Sequence, residues 1–275
     1  KSKNLCKFRL GEGKENHMNT EQFLNRLWDN YISYAPSAKQ ISKLFGEEVT
    51  NDHIAFRTFN LDKCSIEKQA DYLSSYGYKV CGDYFFEKKR LEAIHLENDN
   101  PIHPKIFLSQ LISEDFSNEL RVIMKDVLSS VSDEEPEKLF LGGRTWSIDY
   151  KKYELLASES EYASWLYVWG FCPNHFTVSV NHLSSFNELD EVNNLIKTNG
   201  YKLNSSGGEI KGSVEELLEQ SSTMADKVKV QFINTDAEVP SCYYEFAKRY
   251  PDSSGNLYQG FVSKSADKIF ESTNK

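Results

Sequence analysis

The chain states one pattern twice. NDHIAFRTFN at 51–60 and PNHFTVSVNHL at 173–183 both carry histidine as their third residue. In the first, His53, Ala55, Arg57 and Phe59 fall on one face and Ile54, Phe56 and Thr58 on the other, which is the alternation of a strand. Each segment is followed by a helical stretch that ends at a glycine. These stretches are SIEKQADYLSSYG at 65–77, capped by Ser65, and ELDEVNNLIKTNG at 188–200. Tyr-Lys follows both glycines, and the spacings match, with 24 residues from His53 to Gly77 and 25 from His175 to Gly200. In the first half YKVCGDYFFEKKRLEAIHLEN predicts two strands reversing near Lys88–Arg90, and PKIFLSQL at 104–111 predicts a third. In the second half KVKVQFIN at 227–234 and SCYYEFAKRY at 241–250 supply the later strands. The repeat predicts an α+β chain of two βαβββ modules that pair into one curved mixed sheet around a cleft, with added helices.

The rest of the chain fits around those modules. Residues 18–275 read as a single domain, with modules at about 51–111 and 173–250 joined by a helical segment at 112–172. Within the connection, 114–131 and 153–169 predict helices, and 132–143 is polar and turn-rich. Asn19 or Thr20 caps a helix whose apolar positions are Phe23, Leu27, Tyr31 and Ile32. Pro36 ends it, and a second helix at 37–46 stops near Gly46. Residues 1–17 are polar and unpatterned and lack the apolar stretch of a signal peptide. They read as a disordered tail or as sequence upstream of the natural start at Met18, and His17 is set aside with them.

Composition narrows the function classes. The formal net charge is −9 with dispersed acids, whereas a nucleic-acid binder needs a basic face. No run of about 18 apolar residues occurs, so no membrane span is expected. The five cysteines, Cys6, Cys64, Cys81, Cys172 and Cys242, are odd in number and widely spaced, without a CxxC pair. That pattern fits isolated thiols in a reducing cytoplasm. No GxSxG, HExxH, Walker loop or GxGxxG is present, so nucleotide binding and serine hydrolysis have no motif support.

The repeat also predicts a site. If a pseudo-twofold axis relates the modules, His53 and His175 point into one cleft. Two imidazoles and one carboxylate suit a first-row divalent metal and leave positions open on it. Glu245 in YYEFAKRY is the candidate third ligand, because a carboxylate on an aromatic strand needs a partner. A lone strand histidine is ordinarily a core or surface residue; two at repeat-equivalent positions shift the balance. Arg57 lies on the His53 face about 13 Å further along, where a long guanidinium leaning back clamps a carboxylate, or else forms a salt bridge. Thr177 and Ser179 share the His175 face as candidate hydrogen-bond donors, or serve strand propensity alone. In LLEQSSTMAD at 217–226, Gln220 and Ser222 reach the cleft, or the segment is a helix end with its turn. His95, His103 and His182 lack such support, and His182 would face away on a continuous strand.

NDHIAFRTF, NHFTVSVNHL, LEQSSTMAD and YYEFAKRY together resemble the DUF1338 family over about residues 20–262. The chain looks like a compact branch of it. The resemblance implies a fold like the vicinal oxygen chelate superfamily and a 2-oxoadipate dioxygenase/decarboxylase activity. It implies Fe(II) held by two histidines and one glutamate, matching His53, His175 and Glu245, and an arginine for the substrate carboxylate, matching Arg57. The implied reaction takes O2 and a small 2-oxo acid such as 2-oxoadipate and yields 2-hydroxyglutarate and CO2. Two alternatives remain open at this point. One is a hydrolase or isomerase using Zn, Ni or Mn as a Lewis acid, and the other is a metabolite-binding module without turnover.

Overall fold

The computed structural model describes residues 18–132 and 134–274. The expectation for 1–17 falls outside them. Two helices open the described chain, α1 (Thr20–Tyr34) and α2 (Pro36–Leu44). A capping box between Asn19 and Gln22 starts α1, and Phe23, Leu27 and Tyr31 line its buried face. Burying Phe23 or Leu27 stabilises the fold by about 1.5–3 kcal/mol each. Pro36 takes the first position of α2, where its missing N–H costs nothing.

The first module is β1 (Asn51–Phe59), α3 (Ile66–Ser74), β2 (Tyr78–Phe86), β3 (Leu91–Asn98) and β4 (Lys105–Leu111). The connection holds α4 (Asn118–Ser129), α5 (Lys138–Leu141), α6 (Tyr150–Glu159) and α7 (Glu161–Trp169). The expected single helix at 153–169 is thus two, because Ser160 is extended and caps α7 through the Ala163 N–H. The second module is β5 (Pro173–Ser179), α8 (Leu189–Thr198), β6 (Lys211–Ser213), β7 (Leu218–Ser222) and β10 (Tyr243–Arg249). The strands β8 (Lys227–Gln231) and β9 (Asp236–Pro240) form a separate hairpin between β7 and β10. A last helix, α9 (Ser263–Ile269), and a 3-10 turn at Phe270–Thr273 follow β10. No helix among the described residues is long and apolar enough to cross a membrane.

One eight-stranded sheet runs β2-β3-β4-β1-β5-β10-β7-β6. The modules meet at β1 and β5, which pair antiparallel, and each module repeats the other's order outward from that seam. His53 pairs with Thr177 and Ala55 with His175, so a twofold axis through the seam exchanges the two histidines. The register slips twice, skipping Asp52 on β1 and Asn174 on β5. These are β-bulges at equivalent positions. A bulge re-aims the side chain next to it, and here each lets the Asx side chain reach the histidine that follows it.

Three expectations fail in the second module. Tyr201–Leu203 forms only an isolated bridge, Leu203 to Thr223, where the equivalent Tyr78 begins a full strand. The reason is the turn that follows: Asn204 caps Ser206, and Gly207 and Gly208 take φ of 70° and 104°. The segment 217–226 is not a helix end, since Leu218–Ser222 pair as β7 with β10. Lys227–Gln231 is a strand, but of the hairpin rather than of the main sheet.

Candidate metal centre

The centre forms where the seam meets β10. His53 and His175 are buried, with ring centroids 5.6 Å apart and nearly perpendicular planes. Parallel pairing sets Glu245 beside Thr177, two residues past His175 and on the same face. Glu245 Oε2 lies 3.1 Å from His175 Nε2, and Oε1 lies 3.6 Å from His53 Nε2. Among the described residues these three form a cluster whose ligand atoms all lie within 4.8 Å of one another.

The outer partners decide what those atoms can do. His53 Nδ1 is 2.8 Å from Asp52 Oδ1, and His175 Nδ1 is 2.8 Å from Asn174 Oδ1. Both partners are acceptors, so each Nδ1 carries the proton and each Nε2 presents a lone pair. Two lone pairs therefore face a fully buried carboxylate. Glu245 Oε1 accepts from Gln220 Nε2 at 2.6 Å, while Oε2 has no hydrogen-bond donor. Burial pushes the Glu245 carboxyl up, but His175 and His53 in their protonated forms and the Gln220 donor outweigh it and hold it below the usual range. Burial lowers His175 and disfavours an imidazolium. A divalent cation satisfies all three donors at once, so these residues fit a mononuclear metal.

Asp52 belongs to a wider network. Arg249 on β10 grips its carboxylate twice, at 2.7 Å through Nε and 2.9 Å through Nη2. Burial raises the Asp52 carboxyl, yet Arg249 and His53 hold it far below the usual range. The same guanidinium donates to the carbonyls of Tyr258 and Gly260. That fixes the loop carrying Phe261, whose ring meets His53 edge-on at 4.8 Å. Sequence reasoning missed Asp52, Asn174 and Arg249. The first two had a signal, an Asx before each repeat histidine.

Arg57 lines the same small cavity as the cluster. Its Nη1 is 2.9 Å from Glu161 Oε1, and its Nη2 is 2.8 Å from Thr273 Oγ1. Gln220 also lines the cavity, as does Tyr243, a buried hydroxyl without a partner whose ring stacks on His175 at 4.4 Å. The Thr177 hydroxyl lies 3.1 Å from His53 Nε2. Ser179 and Ser222 do not line the cavity. The strand ends after Ser179, whose hydroxyl pairs with His182 Nδ1 at 2.8 Å, and Ser222 pairs with Ser272 at 2.8 Å. His182 stands in the 3-10 turn that follows rather than on a continuous strand. Phe261, Ala266, Ile269 and Phe270 roof the cavity, and the helix that carries Ala266 and Ile269 was not anticipated from sequence.

The comparisons with known proteins agree with this architecture. A family profile described as 2-oxoadipate dioxygenase/decarboxylase matches residues 134–252. A rice protein named 2-oxoadipate dioxygenase/decarboxylase, chloroplastic/amyloplastic, is 34% identical over 88% of this chain and 75% of its own length. The crystal structure of rice hydroxyglutarate synthase with 2-oxoadipate superposes at a TM-score of 0.84 and 28% identity, covering 99% of this chain and 98% of that one. A structure from Shewanella frigidimarina, described as a candidate hydrolase, gives 0.86 and 46% over 90% of this chain and 99% of that one. A glyoxalase-superfamily structure from Ralstonia eutropha, at 17% identity and a TM-score of 0.67 over 91% of this chain and 89% of that one, shares the fold.

Proposed function

Because the chain belongs to the 2-oxoadipate dioxygenase/decarboxylase family, we propose that it oxidatively decarboxylates a small 2-oxo dicarboxylic acid at an iron(II) held by His53, His175 and Glu245. The observation that carries this reading is the convergence of three buried donors, two of them oriented by bulged Asx residues. Iron(II) held by these three residues would supply oxygen chemistry that no side chain can.

The chain's own groups do the rest. Asp52 and Asn174 keep both Nδ1 atoms protonated and both Nε2 lone pairs turned to the metal, which replaces the Thr177 hydroxyl as the partner of His53 Nε2. Gln220 holds one oxygen of Glu245 and leaves the other for the metal. Arg57 binds the distal carboxylate and so orients the 2-oxo acid end. The Tyr243 hydroxyl, kept protonated by burial, donates to an oxygen of the bound substrate. Phe261, Ile269 and Phe270 exclude water. For 2-oxoadipate the balance is one O2 consumed, with one CO2 and one 2-hydroxyglutarate formed. The free thiols Cys64, Cys81, Cys172 and Cys242 support a reducing compartment, the cytoplasm in our reading.

The test is oxygen uptake by anaerobically Fe(II)-loaded protein given 2-oxoadipate, with 2-hydroxyglutarate measured. Equal uptake and product are expected, and no uptake across a panel of 2-oxo acids sinks the reading. The Shewanella neighbour favours a second reading, hydrolysis at Zn, Ni or Mn. It requires turnover without oxygen.

A further inference from the structure

Arg57 is already bound to a carboxylate. Its side chain is 1% exposed, and its guanidinium sits between the Glu161 carboxylate and the Thr273 hydroxyl, flanked by the rings of Tyr162, Trp165 and Phe270. Glu161, at 29% exposure, is the more accessible partner. It is the first residue of α7 and therefore comes from the connection between the modules.

These groups form a wall between two spaces. On one side is the cavity at the metal cluster, which Arg57 lines and which measures about 20 Å³, room for about one water. On the other is an outer cleft of about 430 Å³, lined by Glu161 and Thr273. A dicarboxylate that reaches Arg57 from the metal side meets a guanidinium whose charge is neutralised. Two carboxylates at hydrogen-bond distance from one guanidinium repel each other strongly in so dry a place. Arg57 Nε is an open donor, so a second carboxylate finds a hydrogen bond there, but one guanidinium charge balances only one of the two, and Glu161 can yield into the cleft it already borders.

We propose that Glu161 is a specificity-determining residue, an internal carboxylate that reserves Arg57 until the distal carboxylate of the substrate displaces it. The inference rests on the function proposed above and assigns the entry step a chemical requirement. A 2-oxo acid with a second carboxylate replaces one ion pair with another and opens the cavity. A 2-oxo acid with a methyl end has nothing to exchange, so the pair stays closed and the cavity stays small. Selection for diacids then comes from the competitor as much as from Arg57 itself.

The sign of one substitution decides the matter. The measurement is anaerobic calorimetric binding of 2-oxoadipate and of 2-oxohexanoate, which lacks the distal carboxylate, to Fe(II)-loaded wild type and Glu161→Gln. If Arg57 is free of Glu161 in about a tenth of molecules, removing the competitor tightens 2-oxoadipate binding roughly tenfold. A residue that merely steadies Arg57 gives the opposite result, because Glu161→Gln then weakens binding. Equal or weaker binding of 2-oxoadipate by the variant overturns the inference. Absence of 2-oxoadipate binding in wild type overturns the functional reading instead. Should Glu161→Gln fail to fold, Glu161→Asp, whose carboxylate is retracted by one methylene, is expected to bind 2-oxoadipate more tightly than wild type, and equal or weaker binding there refutes the proposal as well.

Discussion

The two modules share a backbone device and differ in nearly everything built on it. Each has a bulge that brings an Asx side chain onto the next histidine. In the first module that residue is Asp52, charged and locked by Arg249; in the second it is Asn174, neutral. Four residues past the histidine the first module has Arg57 and the second has Ser179. On the neighbouring strand, Phe107 pairs two residues past His53 where Glu245 pairs two residues past His175. Symmetry thus supplies two converging imidazoles. Asymmetry supplies a direction, with a buried carboxylate, Glu245, on the second module and a buried guanidinium, Arg57, on the first, which the proposed function uses as ligand and anchor. A fully symmetric pair of modules would hold a metal and have no way to orient a substrate.

Breaking the asymmetry at its ligand has the largest expected effect. Glu245→Ala leaves the two imidazoles without a carboxylate. Metal affinity should fall by more than the roughly 10- to 100-fold that outer partners command, as read by titration calorimetry. A variant with unchanged affinity would place the third ligand elsewhere. Next comes the anchor. Arg57→Met removes a charged hydrogen-bonding contact of about 2–3 kcal/mol, so kcat/KM for 2-oxoadipate should drop roughly 30- to 150-fold. The equivalent Ser179→Ala should change it less than about threefold, since its hydroxyl is engaged with His182.

The outer partners sharpen the contrast further. Asp52→Asn makes the first module copy the second, and should weaken metal binding roughly 10- to 100-fold. It also strands Arg249 in the interior, at a cost of about 3–5 kcal/mol in denaturant unfolding. The double variant Asp52→Asn with Arg249→Met should recover most of that stability without recovering the affinity. If both return together, Asp52 acts through the fold alone. The metal itself should register on the melting curve. Fe(II) at 100 times its dissociation constant should stabilise wild type by about 2.7 kcal/mol, and leave Glu245→Ala unchanged at the same concentration.

The seam was legible because it is written twice. His53 and His175, their flanking strands and the glycine-stopped helices all follow from local pattern, and the register delivers the twofold relation. Glu245 was visible only as a carboxylate on an aromatic strand, and the family resemblance was needed to select it. The segment after Gly200 misled because Tyr-Lys is followed by a turn-rich NSSGG rather than by a strand run. β7 was ambiguous because after Leu218 its residues EQSS are all polar, so periodicity carries no inside or outside signal. Arg249 and Glu161 are long-range partners, 197 and 104 residues from the groups they bind. No local rule pairs residues at that distance.

The shared metal site is the claim on which the rest depends. It is tested most directly by anaerobic titration of Fe(II) into wild type and into His53→Ala, His175→Ala and Glu245→Ala. One equivalent per chain should bind the wild type, and each single variant should lose that site. Full stoichiometry and affinity in any one of the three would contradict a centre assembled from both modules.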